Sequence, residues 1–219
     1  MKILYIDSQE PDLENLRKAV NILTSGGIII HATETVYGFT AKWDQINALK
    51  RITKIKSRIG SKPYSLMLSK VDDVFKISGL EDNRLREFLN VIYPAPITLI
   101  LERRKNLEST YWNAFPEIGF RIPDHLLSTK LIEMVGDPLI TTSANKSGEV
   151  PPRSFTELSS EIIKKVDLVL NSGLCIFKVP STIIKIHPGL YTYTVLREGA
   201  YPTSQFQSNF RRYLQHDTE

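Results

Sequence analysis

Runs of β-branched and aliphatic residues that feed directly into short polar clusters most constrain the fold of this chain. Ile28-Ile29-Ile30 leads to Thr33-Glu34-Thr35, the run 139–142 leads into Ser143-Ala144-Asn145, and Phe120 and Ile122 flank Arg121. Between these runs stand stripes with helical spacing: Leu13, Leu16, Val20 and Leu23; Ile46, Leu49, Ile52 and Ile55; Leu85, Phe88, Leu89 and Ile92; Leu127, Leu131 and Met134. Strands are expected at 28–30, 65–68, 97–101, 119–122, 139–142, 168–170, 182–186 and 193–196. Helices and strands alternate early and strands crowd late. The expected class is therefore α/β, with a mixed rather than purely parallel sheet and helices packed on it. An α/β fold places its working loops at strand ends, where these polar clusters fall.

Punctuation sets the boundaries. Gly26-Gly27 ends the first helix, Pro94 and Pro96 stop the third, and Gly136 closes the fourth. Asp124, after Pro123, is the expected N-cap of that fourth helix. Further helices are expected over 156–165 and 203–214. No repeat or linker interrupts the chain, so one domain is expected over residues 1–201, with 202–219 as a C-terminal tail or helix.

Charge narrows the ligands. The 28 Lys and Arg against 24 Asp and Glu give a formal charge of +4, which suits an anionic ligand or RNA without proving either. The single cysteine, Cys175, cannot pair within the chain and reads as a small buried hydrophobe in a reducing compartment. The apolar run 3–6 is too short for a signal-peptide core, and no stretch approaches the roughly 18 apolar residues of a membrane span. A cytoplasmic protein is expected.

The clusters Thr33-Glu34-Thr35, Lys56-Ser57-Arg58, Arg121, Ser143-Ala144-Asn145, Ser181-Thr182 and Arg197 could converge on one anion. No acid–base pair and no thiol with a partner stands out. The implied chemistry is positioning and charge neutralisation of phosphates. Each cluster also has a plainer reading. Thr33 can cap a turn with Glu34 solvated, and the basic stretch 50–62 can be a solvated face. Arg121 can close a structural salt bridge, and 143–148 can be a turn. An extended backbone beyond the second helix would let Lys56 and Arg58 reach the same phosphate chain. The segment 143–148 is not a Walker loop. His31, His125, His187 and His216 lack metal-ligand spacing, so no protein metal site is expected.

In this order, the segments Thr33-Glu34-Thr35-Val36-Tyr37-Gly38, Lys56-Ser57-Arg58, Lys62-Pro63, Tyr93-Pro94-Ala95-Pro96-Ile97-Thr98, Arg121-Ile122-Pro123, Ser143-Ala144-Asn145-Lys146-Ser147-Gly148, Pro180-Ser181-Thr182-Ile183 and Arg197-Glu198-Gly199 resemble the threonylcarbamoyl-AMP synthase (YrdC) family. Each is weak alone; their ordered co-occurrence, covering about 13–199, is specific. The resemblance implies a twisted open α/β sheet with a concave basic face. It implies a nucleotidyltransferase that makes threonylcarbamoyl-AMP and pyrophosphate from ATP, L-threonine and bicarbonate, with Mg²⁺. The product would feed threonylcarbamoyladenosine formation in tRNA, with tRNA and a downstream threonylcarbamoyl-transferase as partners.

By position, the resemblance gives catalytic roles to Lys56 and Arg58, and threonine contacts to Thr33, Tyr37, Arg121 and Thr141. It gives nucleotide contacts to Lys56, Arg58, Ser143, Asn145, Ser181 and Arg197. The chain departs from the family pattern at His31-Ala32, Phe39-Thr40, Ala95 and Asn171-Ser172-Gly173. Phe39 and Ala95 are expected to add bulk near the pocket wall. Two other readings stand beside this one. A non-catalytic double-stranded RNA or tRNA-binding module would need stacking groups interleaved with the basic residues. A carbamoyl-adenylate-forming enzyme of hydrogenase maturation would need acylphosphatase and zinc-finger segments.

Overall fold

The computed structural model describes residues 2–58, 63–105, 107 and 111–215. Lys62 and His216, singled out in the sequence, lie outside them. The described residues build one ten-stranded sheet in the order β1-β8-β2-β3-β7-β4-β6-β5-β9-β10. Its strands are β1 Lys2–Tyr5, β2 Ile29–Ala32, β3 Tyr37–Lys42, β4 Ser65–Met67, β5 Ile97–Glu102, β6 Glu117–Arg121, β7 Leu139–Ser143, β8 Leu168–Asn171, β9 Thr182–His187 and β10 Thr192–Arg197. Four pairings are parallel (β1–β8, β2–β8, β4–β6, β5–β9) and five antiparallel (β2–β3, β3–β7, β4–β7, β5–β6, β9–β10), so the sheet is mixed, as the late crowding of strands predicts.

The helices are α1 Leu13–Thr24, α2 Ile46–Ile55, α3 Val71–Ser78, α4 Asn83–Ile92, α5 Leu126–Val135, α6 Ser160–Ile163 and α7 Thr203–Phe210. Asp12 caps α1 by accepting from the Asn15 amide, and Asp82 caps α4 by accepting from Leu85. Three elements have no counterpart in the sequence reading: β1, β3 and α3. Two others differ from it. The expected helix over 156–165 is broken at Leu158, whose extended backbone turns its side chain into the core, leaving a 3₁₀ turn and the short α6. Asp124 does not cap α5; His125 occupies the N-cap without a side-chain bond to the helix backbone.

The two faces of the sheet have different fates, because successive side chains point to opposite sides. On one face Leu66, Phe120, Ile140 and Phe39 join the large core under α2, α3, α4 and α7. On the other, Ile29, Met67 and Leu139 pack with Leu16, Leu23, Leu127 and Leu131 of α1 and α5. Two residues on from Met67 and Leu139, the same face carries Ser65 and Thr141 instead. The apolar cover ends there and a polar floor begins. The C-terminal α7 belongs to the large core: Phe206 and Phe210 each meet the Phe88 ring of α4 edge-on at 5.5 Å.

Candidate functional site

The polar floor is the bottom of a cavity of about 600 Å³. Neighbouring strands supply its residues in register. Gly38 lies opposite Ser143, Ser65 lies between Thr141 and Gly119, and Gly119 pairs with Ile100. Gly119 keeps the middle of the floor low, because a Cβ there would stand 2.9 Å from Ser65 Oγ and 3.0 Å from Thr98 Cγ2. Above this floor stand three arginines, Arg58, Arg121 and Arg197.

Arg58 follows α2 through Ser57, whose φ of 48° lies in the left-handed region. The backbone here is therefore not extended, and Lys56 and Arg58 do not reach side by side as the sequence suggests. Arg58 turns to the cavity, with its guanidinium 4.9 Å from the Tyr64 ring centre, a cation–π contact. Lys56 turns the other way. Its ammonium donates to the carbonyl oxygens of Ser143 and, at 2.9 Å, Asn145, while its own carbonyl accepts from the Ser147 amide. Lys56 thus clamps the loop after β7 and does not itself line the cavity. Burial, then the nearby Arg58, lowers its pKa to about 8.

The end of β7 and that loop each carry one of the predicted site residues. Ser143 lines the cavity. Asn145 closes the loop instead, donating from Nδ2 to the carbonyls of Lys146 and Glu149, while its buried Oδ1 has no partner. At the far end, Arg197 donates to the Ser181 carbonyl at 2.6 Å and 3.0 Å, and Ser181 shares a 2.9 Å bond with Thr98. Burial lowers the Arg197 pKa. Gly199 lets the chain pass this point, since a Cβ there would sit 2.2 Å from the Pro180 carbonyl oxygen.

The β2–β3 turn forms the third side. Thr33 Oγ1 donates to the Val36 carbonyl at 2.9 Å and accepts from the Thr35 and Val36 amides, so it caps the turn and also faces the cavity. Thr35 accepts a 2.7 Å bond from Arg121 Nη2, and Glu34 Oε1 stands 2.8 Å from the same nitrogen. Glu34 is fully buried, not solvated. Arg121 therefore has both expected features, a salt bridge and a cavity-facing position.

Of the ten predicted site residues, the structure brings Thr33, Arg58, Arg121, Thr141, Ser143, Ser181 and Arg197 to the cavity wall. Lys56 and Asn145 stand behind it. Tyr37 does not reach it. Strand alternation turns Tyr37 into the large core, where its hydroxyl donates to the Gly173 carbonyl, while Gly38 takes the cavity side. Phe39 and Ala95 add no bulk to the wall: Phe39 points into the same core and neither lines the cavity. Thr35, grouped with Thr33 in the sequence, also lines the cavity; the sequence reading gave no site role to Ser65, Thr98 and Gly119, small residues whose role appears only once strands from different parts of the chain stand in register. The spacing of Ser65 and Thr98 at strand ends next to apolar runs was the available signal.

A second polar feature is buried outside the cavity lining. His31 Nδ1 meets Thr40 Oγ1 at 3.2 Å, His31 Nε2 meets Ser128 Oγ at 3.0 Å, and Ser128 Oγ meets His125 Nδ1 at 3.0 Å. This buried chain ties β2 and β3 to α5. Burial, reinforced by His125 and Arg121, pushes the His31 pKa down to about 3. Cys175 is buried, which raises its thiol pKa to about 12 and leaves it a small hydrophobe. Among the described residues, no group of three or more His, Cys, Asp or Glu side chains could hold a metal ion, and no helix is long and apolar enough to cross a membrane.

Residues 21–199 match the Sua5/YciO/YrdC family model, described as "Telomere recombination". The chain belongs to this family. It is 32% identical over 204 residues to a Methanocaldococcus jannaschii protein named "Putative threonylcarbamoyl-AMP synthase", covering 92% of this chain and 93% of that one. It is 33% identical over 160 residues to the Rattus norvegicus threonylcarbamoyl-AMP synthase, of which it spans 56%. Two solved family structures share the fold. Sua5 of P. abyssi, crystallised with L-threonine, superposes with a TM-score of 0.86 at 23% identity, over 95% of this chain and 61% of that one. YciO of E. coli superposes with a TM-score of 0.83 at 26% identity, over 94% of this chain and all of that one. The open mixed sheet with packed helices is thus the architecture of the Sua5/YciO/YrdC family.

Proposed function

We propose that this protein is an L-threonylcarbamoyladenylate synthase, a nucleotidyltransferase acting on ATP, L-threonine and bicarbonate. The observation that carries the reading is the cavity itself. Three arginines and a floor of hydroxyls and glycines converge, from segments far apart in the chain, in a family whose curated relatives are named for this reaction. A volume near 600 Å³ suits a nucleotide with an amino acid. It does not suit an RNA helix, which makes the RNA-binding module the weaker reading.

In the proposed reaction the threonine amine combines with bicarbonate to give a carbamate and water. A carbamate oxygen then attacks the α-phosphorus of ATP, and pyrophosphate leaves with the electron pair of the broken P–O bond. Both partners are anions, so their approach needs fixed positive charge. Arg58, Arg121 and Arg197 supply it from three sides, and the Thr33, Thr141, Ser143 and Ser181 hydroxyls orient the polar groups. Lys56 contributes by holding the Ser143–Asn145 loop in place, and Asn145 by closing it. Mg²⁺ would accompany the triphosphate, whose oxygens are its ordinary ligands. The chain's role is thus positioning and electrostatics, as in other phosphoryl-transfer sites.

The catalytic domain in this reading is residues 1–201, with the following helix as its structural support. The proposed setting is cytoplasmic, with which a single unpaired, buried thiol is compatible. The product, a mixed anhydride, would be consumed by a transferase that delivers its threonylcarbamoyl group to tRNA. Amino-acid-dependent pyrophosphate release tests the reading. Threonine should exceed serine by about tenfold, and valine should be rejected more strongly, because a site built to bond a hydroxyl is left unpaired by valine. Release that ignores the amino acid, or equal rates with valine, overturns it.

A further inference from the structure

We propose that Glu34 is a positioning residue whose buried carboxylate aims the Arg121 guanidinium into the cavity. Glu34 is 0% exposed and Arg121 5%. Glu34 Oε1 stands 2.8 Å from Arg121 Nη2, and that nitrogen donates to Thr35 Oγ1 at 2.7 Å. The Glu34 contact is electrostatic: neither carboxylate oxygen has an aligned hydrogen-bond partner. Arg121 Nε is likewise buried and without a protein acceptor.

Stability does not account for this arrangement. The desolvation of two buried charges can exceed their mutual attraction, and well-packed apolar residues often replace such a pair without loss. Orientation does account for it. A guanidinium is a rigid plane with its donors in fixed directions. Once Nη2 is held by Glu34 and Thr35, the orientation of the whole guanidinium plane is set. Arg121 is the last residue of β6, pairs with Met67 at the point where the apolar cover of α1 and α5 ends, and lines the cavity. A guanidinium held in one orientation at the cavity wall is what a substrate carboxylate or phosphate oxygen requires. Glu34 does not line the cavity, so it acts through Arg121. The same carboxylate offsets part of the arginine's charge, so the site gains direction rather than net attraction.

The activity readout rests on the synthase reading, so a second readout stands apart from it. In Glu34→Gln the thermal midpoint should fall, because Arg121 is left a buried charge without its partner, so both proteins are assayed at a temperature where each is folded. The KM for threonine should rise about tenfold or more, with a smaller change in kcat. In an Arg121→Lys background the same change should add less than about twofold, because the residue through which Glu34 acts is already altered. Independently of activity, NMR of the Arg121 side chain should resolve separate Nη signals in wild type, reporting a held guanidinium, and lose that separation in Glu34→Gln. Glu34→Asp, which keeps the charge but shortens the reach, serves both assays if the Gln variant does not fold. Full activity in Glu34→Gln, multiplicative losses in the double variant, or unchanged Arg121 signals overturn the proposal. Absence of pyrophosphate release from the wild type overturns the synthase reading alone and leaves the NMR result to decide.

Discussion

Arg58 and Lys56 stand one residue apart, and the left-handed Ser57 between them separates their roles. Arg58 presents charge to the cavity and is held by a ring face rather than a carboxylate. Replacing it with alanine should lower kcat/KM by about tenfold or more, the value of one charge-assisted contact, with little change in thermal midpoint. Lys56 is bonded to two loop carbonyls. Lys56→Met leaves both without a donor, so it should cost about 1–3 kcal/mol in urea unfolding and speed amide exchange over 143–147. A Lys56→Met protein of wild-type stability with an unchanged loop would show that the clamp is idle. The residue types of both positions are legible in the sequence as a basic pair beyond a helix. Their divergence is not, because one backbone angle at Ser57 decides it.

At the scale of elements, stripes and runs long enough to bury themselves were readable. The faces of α1, α2 and α4 follow from 3.6-residue spacing, and β2, β5, β6 and β7 from apolar runs that end in polar clusters. The missed strand β3 carries Gly38 and Thr40 on its cavity side, so its alternation looks like a binding loop rather than a strand. The missed β1 is only four residues long and is half solvated on its own. Small floor residues such as Gly119 gain meaning only from strands distant in sequence.

Two elements carry their own tests. The His31–Ser128–His125 chain docks α5 on the sheet. Unfolded, His31 takes a proton near pH 6.5, but folded it resists until about 3. Between those values the unfolded chain holds the extra proton, so stability falls as pH falls, by up to about 1.4 kcal/mol per pH unit. His125 acts in the same direction. His31→Gln should flatten the acid side of the stability profile measured by urea unfolding between pH 6.5 and 4, and an unchanged slope would contradict the buried neutral imidazole. At the Arg197 corner of the cavity, Gly199→Ala places a Cβ against the Pro180 carbonyl. It should cost about 1–3 kcal/mol and weaken nucleotide binding together, because Arg197 and Ser181 share that corner.

On the scale of the whole molecule, one sheet serves two purposes. One face is buried over its central strands by α2, α3, α4 and α7; the other is covered by α1 and α5 only in part, and its polar remainder is the site. The cover of the first face includes the C-terminal helix, whose Phe206 and Phe210 lie against Phe88 and Tyr193. Phe206→Ala should therefore destabilise the entire protein by about 3–5 kcal/mol rather than fray one end. The central claim, that this face joins an amino acid, a one-carbon unit and a nucleotide, is tested most directly by mass spectrometry of the product formed from ATP, threonine and bicarbonate. Threonylcarbamoyl-AMP formation predicts a species with the combined mass of threonine, carbon dioxide and AMP less one water, absent when any one of the three substrates is omitted. Finding no such species in the complete mixture, or the same species without threonine, would contradict it.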